Sequence, residues 1–248
     1  MDVHHHPDLH HKTKRWKEYL LEFMMIFLAV TLGFFAESLR ETISDKQKEK
    51  EYIFSLVQNM KDDTAVFNSV IRENELKKNK LEKLLSLSAR NIQDSGVRKL
   101  FYTYSLSAIS FYSVFKSNDA TMLQLKNSGG FRFIKKDHVA DSIAKYDNYV
   151  KIIYAAEDLY VRVTNDALKA TLEVMDYTIL HDTTYFQDNE FKNKYLPFLN
   201  TDKSKLRLLY NYIEIEIGGT ENYINNLKAR LPGVISLINF LRKEYELD

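Results

Sequence analysis

Five histidines crowd the first eleven residues of the chain, and imidazoles this dense can chelate zinc, nickel or copper. They are His4, His5, His6, His10 and His11. A metal site needs neighbouring groups that orient its ligands, which a terminal tail does not supply. A purification tag has a similar composition, although Pro7-Asp8-Leu9 interrupts the run as native sequence would. We predict that this tail holds no functional metal.

The two remaining histidines also fail as a metal pair. His138 and His181 fall at opposite ends of a predicted helix of roughly 40 residues, and a rise of about 1.5 Å per residue separates them by tens of Å. The chain has no cysteine, which removes disulfides, thiolate nucleophiles and thiolate metal ligands.

Carboxylates offer acid–base chemistry at three places. Glu22 interrupts an apolar run, where a carboxylate could carry protons across a bilayer. It lies one turn from Glu18 and Lys17, so we interpret it as an interfacial residue that reaches the headgroups. Asp62-Asp63 and Glu157-Asp158 are adjacent in sequence and point to different parts of a helix surface, which predicts ordinary solvated acids.

A glycine-rich stretch, SGGFRFIKK, begins at Ser128 and could bind phosphate through its backbone and basic residues. It lacks the Walker-type spacing of glycines followed by Lys and Ser or Thr. We therefore predict no catalytic residue, no cofactor site and no metal site in this chain, and we expect that it is not an enzyme.

The elements that carry these residues begin with an apolar segment, Phe23–Phe35. With its flanks, Tyr19–Ala36 would extend roughly 27 Å as a helix, close to the hydrocarbon thickness of a bilayer. Trp16 and Tyr19 occupy the positions of an interfacial aromatic belt. Basic residues cluster just before it: Lys12, Lys14, Arg15 and Lys17. The pattern predicts a transmembrane anchor.

Two other interpretations of this segment remain open. A cleaved signal peptide would need a small residue where Phe34 precedes the candidate cleavage point after Ala36. A buried helix of a soluble domain would not be apolar on every side. The dense basic cluster upstream favours a cytoplasmic N-terminus.

Composition favours long helices for the remainder. The 248 residues include only 7 glycines and 3 prolines, too few for a fold rich in sheets and loops. The formal charge of +1, with no basic block, gives no electrostatic case for a nucleic-acid partner. Apolar residues recur at three- and four-residue steps after the anchor, which predicts helices over 38–90, 97–115, 120–128 and 137–180. Asp94 or Ser95, and later Asp137, are predicted N-caps.

The last predicted helix carries a heptad seam with steps of four and three residues. Its members are Leu206, Tyr210, Ile213, Ile217, Thr220, Ile224, Leu227, Leu231, Val234, Ile238 and Leu241. The seam passes through Gly218-Gly219 and Pro232-Gly233, so we predict that the helix continues across both, with a kink near Pro232. Such a seam packs either inside the domain or against a second copy of the chain, as a coiled coil.

Three stretches resemble a large, functionally uncharacterised family of single-span proteins common in Bacteroidota. The first is the anchor with its flanks, EFMMIFLAVTLGFFAESLRE, and the second is EKEYIFSLVQNMKDD. The third, SNDATMLQLKNSGGFRFIKKDHVADSIAKY, contains Thr121, Leu125, Lys126, Ser128 and Gly129, followed by Ile134. The resemblance covers roughly residues 16–155. It implies a membrane-anchored helical domain and brings no known activity, ligand or catalytic residue.

We therefore predict an all-α protein with one N-terminal transmembrane helix followed by an antiparallel bundle of long helices. Its predicted segments are a His-rich basic tail (1–15), the anchor (16–37), a stalk helix continuing into the bundle (38–90) and the rest of the bundle domain (91–248). We expect a noncatalytic module for interaction or sensing in the cell envelope, anchored in the inner membrane with its C-terminal domain extracytoplasmic. The expected partners are the membrane and another envelope protein, with a homo-oligomer as a further option. The alternative is an accessory subunit of an ion-driven or secretion complex that uses Glu22 and the Ala29/Gly33 face.

Overall fold

The computed structural model describes residues 15–181, 186–187, 190–191 and 195–247, and it confirms the all-α fold class. The helices in these ranges are α1 (Trp16–Ser86), α2 (Ser95–Ala108), α3 (Ala120–Asn127), α4 (Asp137–Leu172) and α5 (Lys203–Glu244). Short 3-10 turns cover Leu87–Ala89, Gly130–Phe133 and Tyr177–His181. Two antiparallel strands of two residues each, β1 (Phe186–Gln187) and β2 (Glu190–Phe191), lie between α4 and α5. The histidine-rich start lies outside the described residues.

The chain divides into two units, residues 1–51 and residues 52–248. In the first unit, α1 carries large apolar side chains that face outward on every side, including Phe23 and Phe34 at 61% and 74% exposure. Its most apolar stretch of 18 residues has a mean hydropathy of 2.0 and is not buried at all. By length and composition this helix could cross a membrane.

The second unit is a bundle of α1 from residue 52 onward, α4 and α5. Tyr146 of α4 contacts Asp63 of α1, and Thr164 lies opposite Lys77, so α1 and α4 run in the same direction. α5 runs antiparallel to both. Its first half meets the end of α4, and its second half meets the beginning of α4.

The segment that returns from α1 to α4 differs from the sequence prediction. A helix over 97–115 was expected, but α2 ends at Ala108, and residues 111–119 have no regular secondary structure. Side chains of other elements bond the backbone of this segment instead. Asn74 donates to the Ser113 carbonyl at 2.9 Å, and the Phe115 amide donates to the Tyr223 hydroxyl at 2.8 Å. These bonds replace the helical ones that the segment forgoes.

Two apolar clusters form the core of the second unit. One joins the middle of α1 to α3, the part of α4 from its beginning to Tyr160 and the second half of α5, around residues such as Phe67, Tyr160 and Leu227. The other joins the end of α1 to α2, the end of α4 and the beginning of α5, around Phe101 and Ile213. The heptad seam of α5 faces these clusters, so it is buried or half-buried within a single chain.

The other predicted helix boundaries hold at several points and fail at two. Asp94 caps α2 by accepting a hydrogen bond from the Val97 amide at 3.0 Å. Gly129 ends α3 in the left-handed region, with φ of 68°, where glycine avoids the steric cost of a side chain. Asp137 is the first residue of α4 rather than its N-cap, a position that Lys136 takes. α4 also ends at Leu172 instead of near residue 180, because the chain turns there into the loop that precedes α5.

Candidate functional site

A lysine and a glutamate form an ion pair inside the bundle. The Lys77 ammonium of α1 lies 2.9 Å from Oε1 of Glu216 on α5, and their side chains are 6% and 0% exposed. Charges are rarely buried in proteins unless they are paired, because water must be stripped from both partners. The buried charge on α1 is therefore stabilised by the opposite charge on α5, and the reverse holds as well.

α4 supplies the remaining partners of this ammonium. Nζ of Lys77 donates to the Tyr160 hydroxyl at 3.2 Å and to Oγ1 of Thr164 at 3.1 Å. The Tyr160 ring in turn stacks on Tyr223 of α5, with centroids 4.9 Å apart and planes 5° apart. The lysine thus links α1, α4 and α5 at one level of the bundle.

Burial favours the uncharged form of both members of the pair. It lowers the pKa of Lys77 from its ordinary value, and it raises the pKa of Glu216, while the attraction between the two groups opposes both shifts. Burial is also the main cause that raises the pKa of Tyr160, so its hydroxyl stays protonated at neutral pH.

A surface cavity of about 350 Å³ opens beside Lys77. Asn74 and Lys77 form part of its wall, and Lys80 donates to the Ser107 carbonyl at 3.4 Å across it. Three large apolar side chains, which we call the Phe111 patch, also line the cavity and remain exposed: Leu76 at 57%, Phe111 at 70% and Tyr112 at 50%. Exposed aromatic side chains beside charged ones are typical of protein-binding surfaces.

The paired acids that the sequence singled out behave differently from one another. Asp62 and Asp158 are exposed, as expected, but Asp63 is only 1% exposed, so the prediction of a solvated carboxylate is wrong for it. Asp63 accepts hydrogen bonds from Oγ of Ser117 at 2.6 Å, from the Asn118 amide at 2.7 Å and from the Tyr146 hydroxyl. This carboxylate therefore holds the irregular segment 111–119 against α1.

Glu157 is half-buried on α4 and accepts a hydrogen bond from the Tyr223 hydroxyl at 3.3 Å. Burial is the largest cause that raises its pKa above the ordinary value. Its contacts join α4 to α5, so this glutamate, like Asp63, contributes to packing of the helices.

Two basic residues of the glycine-rich stretch contact other side chains of the chain. Lys136 pairs with Glu244 at 2.7 Å, and the guanidinium of Arg132 lies 4.8 Å from the Phe133 ring centroid. His138 also contacts Glu244, at 3.4 Å. Within the ranges that the structure describes, no group of three or more His, Asp or Glu side chains is arranged to hold a metal.

The ion pair is not evident from the sequence. The many charged residues of ENELKKNKLEKLL, which begins at Glu73, are typical of a solvated helix surface and predict exposure for all of them. That prediction is wrong for Lys77. A signal was present: Val70, Asn74, Lys77, Leu81 and Leu84 follow steps of four and three, which places the lysine on the apolar stripe. Glu216 likewise sits directly before Ile217 of the heptad seam.

Comparison of the chain with protein-family models, with curated proteins and with solved structures finds no match. The family resemblance noted from the sequence therefore stays a prediction. Fold and site together define a helical-bundle protein with a buried ion pair and, within the part of the chain that the structure describes, one helix long and apolar enough to cross a membrane.

Proposed function

We propose that this protein is a membrane-anchored, noncatalytic helical module that binds another protein of the cell envelope through the Phe111 patch. One observation carries the proposal: large apolar side chains are exposed together in the first unit and again in the Phe111 patch, beside a cavity. Those of the first unit suit a bilayer, whereas those of the Phe111 patch surround a cavity on a folded domain. A soluble protein with no partner would gain from replacing such groups with polar ones.

The proposal places the anchor in the inner membrane with its N-terminus in the cytoplasm and residues 50–248 outside it. The basic cluster before the apolar segment supports this orientation. Fusions of a reporter to the C-terminus test it. A periplasmic reporter should be active there, and activity of a cytoplasmic reporter alone would reverse the topology.

Site-specific photo-cross-linking in intact cells tests the interaction. A photoreactive phenylalanine analogue placed at Phe111 should give one discrete cross-linked product in the membrane fraction. The matched control position is Ile215, which is 54% exposed on α5 but lies outside the cavity. No product at Phe111, or equal products at both positions, would contradict a binding surface at the patch.

The identity of the product separates the remaining options. A product of twice the chain's mass containing only this protein would indicate a homo-oligomer. Cross-links from Ala29 or Gly33 in the apolar helix to an ion-conducting or secretion component would favour the accessory-subunit alternative. An envelope protein that is captured from position 111 supports the proposal. The same protein should be captured when the photoreactive residue replaces Tyr112, and adding Phe111→Ala to that variant should abolish the capture.

A further inference from the structure

A second cavity lies at the end of the bundle where α1 ends and α5 begins. We call it the Arg207 cleft; its volume is about 700 Å³, within the range of roughly 300–1,000 Å³ that small-molecule sites occupy. It shares no lining residue with the cavity beside Lys77. Its walls come from the turn after α1, the loop before α2 and the first two turns of α5.

The charge of the Arg207 cleft has one sign. Arg90, Lys203 and Arg207 line it, and no aspartate or glutamate is among its described lining residues. Lys203 and Arg207 are four residues apart on α5, so they project from the same face of that helix. In a chain with nearly equal numbers of acidic and basic residues, a cavity lined by three cations is not expected from composition.

The loop wall of the cleft is held in place by a buried arginine. Arg98, 4% exposed, donates to the Ile92 carbonyl at 2.9 Å, to the Leu196 carbonyl at 3.0 Å and to Oε1 of Gln93 at 2.7 Å. A wall fixed in this way does not have to be ordered when a ligand binds, which lowers the entropic cost of binding.

Hydrogen bonds within the wall also determine which of its polar atoms remain available to a ligand. The side-chain oxygen of Gln93 is occupied by Arg98, and the side-chain oxygen of Asn91 accepts from the Gln93 amide at 3.0 Å. Each of these two side chains keeps its NH₂ group, which can only donate. The wall therefore presents donors beside the three cations, and donors and cations together recognise oxyanions.

Apolar groups form the remaining part of the lining. Ile92, Leu206 and Tyr210 are half-buried at the cleft. We propose that the Arg207 cleft binds a small organic molecule that carries two or more carboxylate or phosphate groups on a carbon framework. The oxyanions contact Arg90, Lys203 and Arg207, and the framework packs on the apolar residues. This binding goes beyond the proposed function, since it involves neither the anchor nor the Phe111 patch.

Isothermal titration of the full chain in a neutral detergent tests the proposal, with citrate as the carboxylate probe and fructose 1,6-bisphosphate as the phosphate probe. At least one probe should bind with a stoichiometry of one and more weakly as salt is raised from 20 to 300 mM, while sorbitol should not bind. Binding of only one probe identifies whether the ligand class is a carboxylate or a phosphate.

Variants locate the binding. Arg207→Gln should weaken it by about two- to fivefold and the triple change of Arg90, Lys203 and Arg207 to Gln by at least about tenfold, since each exposed ionic contact contributes a modest share. The matched control is Arg162→Gln, which removes an exposed cation of α4 outside the cleft. Circular dichroism checks that all variants keep their helicity.

Three results would overturn the proposal: no binding of either probe at 10 mM, binding that the triple variant retains, or an equal loss in the Arg162 control. The last would show a general effect of surface charge. None of these results bears on membrane anchoring or on cross-linking from Phe111.

Discussion

Two adjacent glycines in α5 should respond in opposite directions to the same substitution. A Cβ atom on Gly219 would lie 2.5 Å from Cγ2 of Val163 on α4, whereas a Cβ on Gly218 would meet nothing within 4 Å. Carbon atoms in contact are normally about 3.5–4.0 Å apart, so alanine at position 219 forces α4 or α5 to move or Val163 to rotate. Valine strongly prefers one rotamer in a helix, which makes that rotation costly.

The magnitudes follow from two terms. Replacing glycine with alanine inside a helix stabilises it by about 0.8–1 kcal/mol, and both variants gain this. Overpacking a close helix contact costs about 1–3 kcal/mol, and only Gly219→Ala incurs it. Gly218→Ala should therefore be the more stable variant by about 1–3 kcal/mol, which corresponds to a difference in Tm of about 2–12 °C for a domain of this size.

Thermal unfolding followed by circular dichroism at 222 nm measures the difference. The double variant Val163→Ala/Gly219→Ala removes the obstructing methyl groups, so it should be more stable than the two single changes predict when added together. Equal Tm values for the two glycine variants, or no such non-additivity, would refute the close approach of α4 and α5 at this level.

The other predictions concern the seam, the ion pair and the anchor. Ile217→Asp and Leu227→Asp should each destabilise the domain by several kcal/mol, because a carboxylate would enter the apolar core, while Asn225→Asp on the exposed side of α5 should change the Tm little. If these two variants instead release folded monomers from a dimer, the seam packs between two chains. Lys77→Met should cost about 3–5 kcal/mol near neutral pH, since it leaves Glu216 buried without its cation. Burial raises the pKa of Glu216 in the folded state, so this glutamate takes up a proton as the pH falls toward 4.5 and the cost of the substitution should shrink. Urea titrations of both proteins at pH 8 and pH 5 measure this cost, and a larger cost at pH 5 would contradict the prediction. Finally, the protein should resist extraction from membranes by alkaline carbonate, and its release would contradict the anchor.

The spacing of apolar residues along the chain was sufficient to predict the longest uninterrupted helix of the second half, α5. The heptad seam predicted one helix through Gly218-Gly219 and Pro232, and α5 indeed spans all three. The irregular return segment could not be predicted in this way. Phe111 and Phe115 continue the helical spacing of α2, and nothing local shows that Asn74, Asp63 and Tyr223 will bond residues 113–118 outside any helix.

By itself, the sequence determined the helical class, the apolar helix and the face of α5 that is buried, because these depend on the spacing of apolar residues along one helix. Only the tertiary structure decided which charges are buried and which line a cavity. Lys77 and Glu216 are far apart in the chain, as are Arg90 and Arg207, and each pair comes together because α5 runs antiparallel to α1. The pKa shifts and the charge of a cavity depend on such distances between helices, which no local pattern encodes.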